Sequence, residues 1–287
     1  MHCKGAVVTM KERKKWLIAW VCLVVVLLAA SILAPGGVRS ESIQETMRDA
    51  VLHDTGRISF FGLKDVNPGF VSAVTVSAAL LVLAACIRIF AVPRFKMRPG
   101  RFQLLLEELV SLFDNMAKSN SPHRNGFLGA YIFGAGVYIF VSTFFELFGV
   151  QAATTSGVTI TLPAPLSDVN AAIAMGCLSY LVILSGGIAQ NGLRGVGSTL
   201  KEFSLPISMS FRLFGALLSG LLVTELVYYY VNLSFVLPVV VGVMFTLLHA
   251  LIQSYVLTML VALYYGEVSE VHEKKKKAPK KAKAEAA

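Results

Sequence analysis

Six apolar runs, each close to the length needed to cross a bilayer, limit what this 287-residue chain can fold into. They cover Trp16–Ala34, Gly69–Val92, Phe127–Val150, Asp168–Ile188, Leu205–Tyr230 and Phe235–Tyr265. A helix of about 20 residues crosses a hydrocarbon layer roughly 30 Å thick. No water reaches the backbone there, so a spanning segment must be a helix or part of a closed barrel. These runs are apolar throughout and do not alternate, which argues against barrel strands. The expected fold class is an all-α integral membrane protein with about five to six transmembrane helices, the last two forming a long hairpin.

Composition agrees: 55% of residues are hydrophobic and only 15% charged, yet the net charge is +9. The basic residues flank the apolar runs, where they set orientation, so no nucleic-acid partner is expected. Cys3, Cys22, Cys86 and Cys177 lack motif spacing and read as small buried hydrophobes, with no metal site or disulfide framework.

Four parts follow in order. Residues 1–37 carry Lys11, Arg13, Lys14 and Lys15, then an apolar run, then Pro35-Gly36-Gly37, and form a signal peptide or a signal-anchor helix. Residues 38–68 make an extracytoplasmic segment, with a short amphipathic helix around Ile43–Leu52 and a strand or turn at Ile58–Leu63. Residues 69–266 are the membrane domain, and 267–287 a basic cytoplasmic tail of low complexity. Inside the membrane domain, Arg94, Lys96, Arg98 and Arg101 mark a cytoplasmic end. Phe102–Lys118 reads as an amphipathic helix on the inner surface, and Gln190–Lys201 as a cytoplasmic loop. Both termini are cytoplasmic if the first helix is retained. A bacterial plasma membrane is expected, because the N-terminus resembles an export signal and not an acid-poor transit peptide.

Arg212 stands well inside the fifth run. Counting from Glu202 at about 1.5 Å per residue, it lies roughly 15 Å deep, near the centre of the hydrocarbon layer. An arginine there costs at least about 2.5 kcal/mol, so it should face protein or a wet cavity. With a hairpin apex near Asn232, Gln253 falls at the same depth as Arg212. Glu225 and His249 lie nearer the apex. Glu146 lies near the outer end of the third run, and Asp168 and Asn170 open the fourth as a helix cap or the entrance to a water-filled channel.

Glutamate and histidine change protonation at accessible pH, and arginine does not. This seam is suited to passing ions or protons, with Arg212 as a fixed positive barrier. The chain has no phosphate-binding loop, paired-histidine metal motif or nucleophile elbow. No cofactor, metal or catalytic site of its own is expected. A secondary ion-coupled transporter or channel is the alternative; no internal repeat supports it.

SMSFRLFGALLSG at Ser208–Gly220 resembles the arginine-helix motif of the subunit a family of F-type ATP synthases. LIQSYVLTMLVALYYGE at Leu251–Glu267 resembles that family's last helix. LPAPLSDVN at Leu162–Asn170 and RPGRFQLLLEELVSLFDNM at Arg98–Met116 are also similar. The resemblance implies an ion-translocating stator subunit, with a tilted hairpin against a ring of c subunits and two half-channels meeting beside Arg212. It also implies peripheral-stalk b subunits and the remaining ATP synthase complex as partners, in a lipid bilayer. Gln253 matches the family's ring-facing glutamine, Glu146 an outer-channel acid, and Asp168 and Asn170 the start of the corresponding helix. Three positions depart from the family pattern. Ala216 stands where asparagine is usual, Leu221 where a glutamate or histidine is common, and Thr246 where a histidine or glutamate is common. Glu225 and His249 are expected to supply the missing polar groups.

Overall fold

The computed structural model describes residues 10–33, 42, 44, 48, 58–60, 63–122, 126–154, 159–229 and 237–270. The expected helix at 43–52, the hairpin apex and the lysine tail fall largely or wholly outside them.

Eight α-helices run through the described residues: α1 (Met10–Leu33), α2 (Pro68–Cys86), α3 (Arg101–Asn120), α4 (Gly126–Phe145), α5 (Val169–Asn191), α6 (Leu193–Lys201), α7 (Ser204–Tyr229) and α8 (Leu237–Ser269). Five helical stretches are long and apolar enough to cross a membrane: Pro68–Arg94, Gly126–Phe148, Val169–Asn191, Ser204–Thr224 and Val239–Ser269. The chain is thus a multi-pass, all-α membrane protein. In α1 the apolar stretch is the shorter Lys15–Leu27, and its described side chains are mostly exposed.

Local chemistry sets the helix ends. Asn67 caps α2 by accepting from the Gly69 N–H at 2.9 Å, and Pro68 takes the first position, where its missing donor is no loss. At the far end the ladder widens into a π turn, Ile87–Ala91, directly ahead of Pro93, which cannot donate. A 3-10 turn, Val92–Arg94, completes the span. Helix α8, at 33 residues, is about 50 Å long and exceeds the hydrocarbon thickness, so it must tilt or project beyond it.

Several boundaries differ from the sequence reading. The expected loop 190–201 contains helix α6. Gly192, with φ of 59°, turns the chain sharply after α5, and the glycines of α6 imitate a loop in composition. The last helix continues past Tyr265 through Glu267 to Ser269. Two small hairpins occupy the ends of α2 and α4 opposite Arg94. Strand β1 (Ile58–Phe60) pairs antiparallel with β2 (Leu63–Val66), and β3 (Gln151–Ala153) with β4 (Thr159–Thr161). Ile58, Val71 and Leu162 form a small cluster beneath them. Cys22, Cys86 and Cys177 are exposed on apolar helices, so they are not buried hydrophobes.

The main core joins α3, α4, α5, α7 and α8, with Ile132, Ile139, Ile183, Leu213 and Leu257 fully enclosed or nearly so. Helix α3 lies in it by one face, through Phe113 and Ala117, while Leu104, Leu105 and Leu112 stay exposed. Lipid offers no hydrophobic drive between helices, so close approach and interhelical hydrogen bonds of about 0.6 kcal/mol each hold the bundle. Ser254 donates to the Gly136 carbonyl at 2.8 Å, Tyr131 and Ser179 hydroxyls meet at 2.9 Å, and Tyr180 donates to the Thr199 carbonyl at 3.0 Å. Asn191 Nδ2 donates to the Val268 and Glu270 carbonyls at 3.1 and 3.0 Å, tying α5 to the end of α8.

Gly195 of α6 lies against the Gly187 backbone of α5 so closely that a Cβ there would strike the Gly187 carbonyl. Gly195→Val should therefore lever α6 off α5 and destabilise the chain by about 1–3 kcal/mol. Gly197→Ala meets open space and should be neutral or stabilising by up to about 1 kcal/mol. Thermal unfolding of the purified protein in detergent compares the two; equal behaviour would show that the Gly187–Gly195 contact does not hold α6.

Candidate functional site

Helices α7 and α8 pack together, and this brings Arg212 and Gln253 to one level. Gln253 is buried, and its Nε2 donates to the Arg212 backbone carbonyl at 3.5 Å, a long and weak bond. Its Oε1 is buried without a partner among the described residues. Such an acceptor costs about 1–3 kcal/mol, so the carboxamide is not at a packing optimum.

The Arg212 side chain is exposed and makes no ion pair or hydrogen bond to a described residue. The amide therefore meets the backbone of Arg212 and not its guanidinium. Ser208, Arg212, Gly215 and Ser219 are all exposed and spaced four, three and four residues apart, so they share one face of α7. Leu248, Leu251, Ile252 and Tyr255 are exposed on the same stretch of α8. The hairpin presents a cation on a surface of small, polar and apolar side chains, and no described residue forms an ion pair with it.

A second polar group lies closer to the apex. Glu146, half-buried in the 3-10 turn that ends α4, and His249 of α8 line one small cavity. Thr143, Ala216, Gly220 and Thr246 complete most of its wall. Its volume is about 10 Å³, close to the least that can hold one water. His249 Nδ1 lies 2.8 Å from the Phe245 carbonyl, which can only accept. Nδ1 therefore carries a proton, and in the neutral ring Nε2 is left as the acceptor. The Phe245 ring stacks on the imidazole at 5.8 Å and fixes its plane. Ala216 and Thr246, where the family's usual polar side chains are absent, line this same cavity. Sequence spacing missed the meeting of Glu146 with His249, because the two are 103 positions apart and nothing local links them. Glu225 lies in α7, but its side chain is outside the described residues.

Asp168 and Asn170 are not part of either group. Asp168 caps α5: its Oδ1 accepts from the Asn170 N–H at 3.1 Å and its Oδ2 from Asn67 Nδ2 at 3.1 Å. The carboxylate thus joins the N-termini of α2 and α5, and Asn170 points outward, exposed. No group of three or more potential metal ligands occurs among the described residues.

Fold and geometry define a class: a polytopic helical membrane protein whose last two helices carry one arginine-centred polar seam. The family model described as ATP synthase A chain matches residues 72–266, more than half of the chain. The chain belongs to the ATP synthase A chain family, which makes it a multi-pass membrane subunit of an ATP synthase. It is similar to ATP synthase subunit a of Cereibacter sphaeroides strain ATCC 17025 / ATH 2.4.3, at 26% identity over 231 residues, 76% of this chain and 86% of that protein. The subunit a of strain ATCC 17029 / ATH 2.4.9 matches to the same extent. That of Histophilus somni strain 129Pt is 27% identical over 205 residues, 58% of this chain and 75% of its own length.

If the Asp168 carboxylate is purely structural, Asp168→Asn should keep ion transport and the cap on Asn170, losing only the exposed hydrogen bond from Asn67 and little stability. Asp168→Ala should lose about 1 kcal/mol of stability. Thermal midpoints of both variants, with transport measured in parallel, check this; loss of transport in a fully stable Asp168→Asn protein would assign the charge to a channel entrance.

Proposed function

We propose that this chain is the ion-translocating stator subunit of an F-type ATP synthase, passing protons or sodium ions to and from carboxylates on a ring of c subunits. The observation that carries the reading is Arg212, a cation exposed at mid-helix on an apolar face. Left in lipid it costs at least about 2.5 kcal/mol, so the working complex must cover it with a partner that brings negative charge. A ring carriage with a membrane-buried carboxylate meets that need once per step. A guanidinium is a fixed positive charge, so Arg212 attracts each deprotonated carboxylate and repels any cation that would leak past. Gln253 Oε1, an acceptor at the same level, can receive the guanidinium as it reorients between carboxylates.

The outer half-channel on this reading ends in the Glu146–His249 cavity, with Glu225 nearer the surface. Two carriers of exchangeable protons around a space for one water suit ion entry, and they stand beside Ala216 and Thr246. The inner half-channel opens on the opposite side, beyond Arg212. Peripheral-stalk b subunits hold the chain still, residues 69–266 form the working membrane domain, and the membrane is a bacterial plasma membrane. Each unit charge crossing it supplies about 2.3 kcal/mol per 100 mV, so several crossings combine mechanically for one ATP.

ATP-driven acidification of inverted membrane vesicles tests the proposal. Arg212→Ala should abolish pumping while the complex still assembles, and the response to sodium and a protonophore names the coupling ion. Normal pumping would make Arg212 structural and overturn the reading. In the same vesicles, replacing Glu225 and His249 together by leucine should abolish coupled transport, and Glu146→Gln alone should slow it. Undiminished pumping in both variants would remove these residues from the ion path.

A further inference from the structure

A cleft of about 460 Å³ opens where α2 ends and α3 begins. That volume falls within the range of ligand sites, roughly 300–1,000 Å³. Arg94, Lys96 and Arg98 line it together with Phe90, Phe95 and Phe102, and no carboxylate is among its lining residues. None of the three cations makes an ion pair with a described residue. All three are exposed, so their charges are open to a ligand from outside.

The loop that carries them is fixed at both ends. The Phe95 N–H donates to the Val92 carbonyl at 3.2 Å and closes the turn bearing Arg94. Gln103 of α3 grips the loop from the other side: its Oε1 accepts from the Lys96 N–H at 3.1 Å, and its Nε2 donates to the Lys96 carbonyl at 3.0 Å. Gln103 Nε2 also donates to Glu107 at 2.7 Å, which engages that carboxylate outside the cleft. The uncapped start of α3 adds the positive end of its dipole to the same cavity.

The surroundings indicate the kind of anion. The cleft lies at the end of a membrane-spanning helix, and Ile89, Phe90, Met97, Phe102 and Leu105 are exposed around it. A free anion has no use for this apolar rim. A lipid does, since its chains lie along the apolar side chains while its phosphate meets the cations. We propose that this cleft binds the phosphodiester headgroup of an anionic phospholipid, of the phosphatidylglycerol or cardiolipin class, from the leaflet on the cationic side of the membrane. The site is separate from Arg212 and does not depend on the ion path.

Native mass spectrometry of the detergent-purified full chain, titrated with dioleoylphosphatidylglycerol or dioleoylphosphatidylcholine, tests this. The wild type should retain the anionic lipid preferentially, and millimolar inorganic phosphate should not displace it. Arg94→Gln/Lys96→Gln/Arg98→Gln should weaken that binding on the order of a hundredfold, given the attraction of each basic residue near an anionic headgroup. Lys274→Gln/Lys275→Gln/Lys276→Gln, which removes the same charge from the tail, should leave it unchanged. Because the cleft cations also guide insertion, Gln103→Leu gives a second reading that keeps every charge and should weaken binding several-fold by freeing the loop. Full displacement by phosphate assigns the cleft to a free anion and overturns the lipid proposal. Equal losses in the cleft and tail triple variants, or wild-type binding by Gln103→Leu, overturn the built site.

Discussion

The cost of an unneutralised charge in hydrocarbon governs this structure. Arg212 could not be left on a lipid-facing helix, and within its own chain no described acid stands near enough to pair with it. Ser208, Gly215 and Ser219 line the same face of α7 with side chains that let a neighbouring helix come close. A bulky face would hold such a helix away from the guanidinium.

The hairpin is backed by polar links and close approaches. Ser254 holds α8 to α4 at mid-depth, and Asn191 holds its end to α5. Gly266 lets α8 touch the Asn120 backbone of α3, and Gly136 makes room for the Phe113 ring. Each link is worth little alone, but they are spread along α8 and oppose rotation of that helix about its axis. Rotation would turn Gln253 away from the Arg212 level, so the bundle core and the polar seam are mechanically one unit.

The fold class was legible because lipid leaves so few options: apolar length alone dictated helices, and basic clusters dictated their ends. The level match of Arg212 and Gln253 was also legible, since helical rise converts sequence distance into depth. What escaped depended on contacts between distant segments. Helix α6 was read as a loop because Gly195 and Gly197 have low helix propensity, and the approach of the Gly187 backbone explains why glycine is needed at Gly195. The exposed cysteines were misjudged because apolar surroundings in a membrane helix are as often lipid as protein. The cavity shared by Glu146 and His249 joins α4 to α8 across 103 positions, a relation no periodicity encodes.

That cavity bears on which helices supply polar groups to the interior of the bundle. Ala216 and Thr246 remove two side chains that could have carried charge or hydrogen bonds, and Leu221 lies in the next turns of α7. The geometry places Glu146 and His249 around the space these residues border, with the imidazole oriented by Phe245. A proton or ion responds to the groups that reach a wet space and is indifferent to which helix supplies them. The acid at the end of α4 and the histidine on α8 thus bring polar groups to a space beside the α7 residues Ala216 and Gly220.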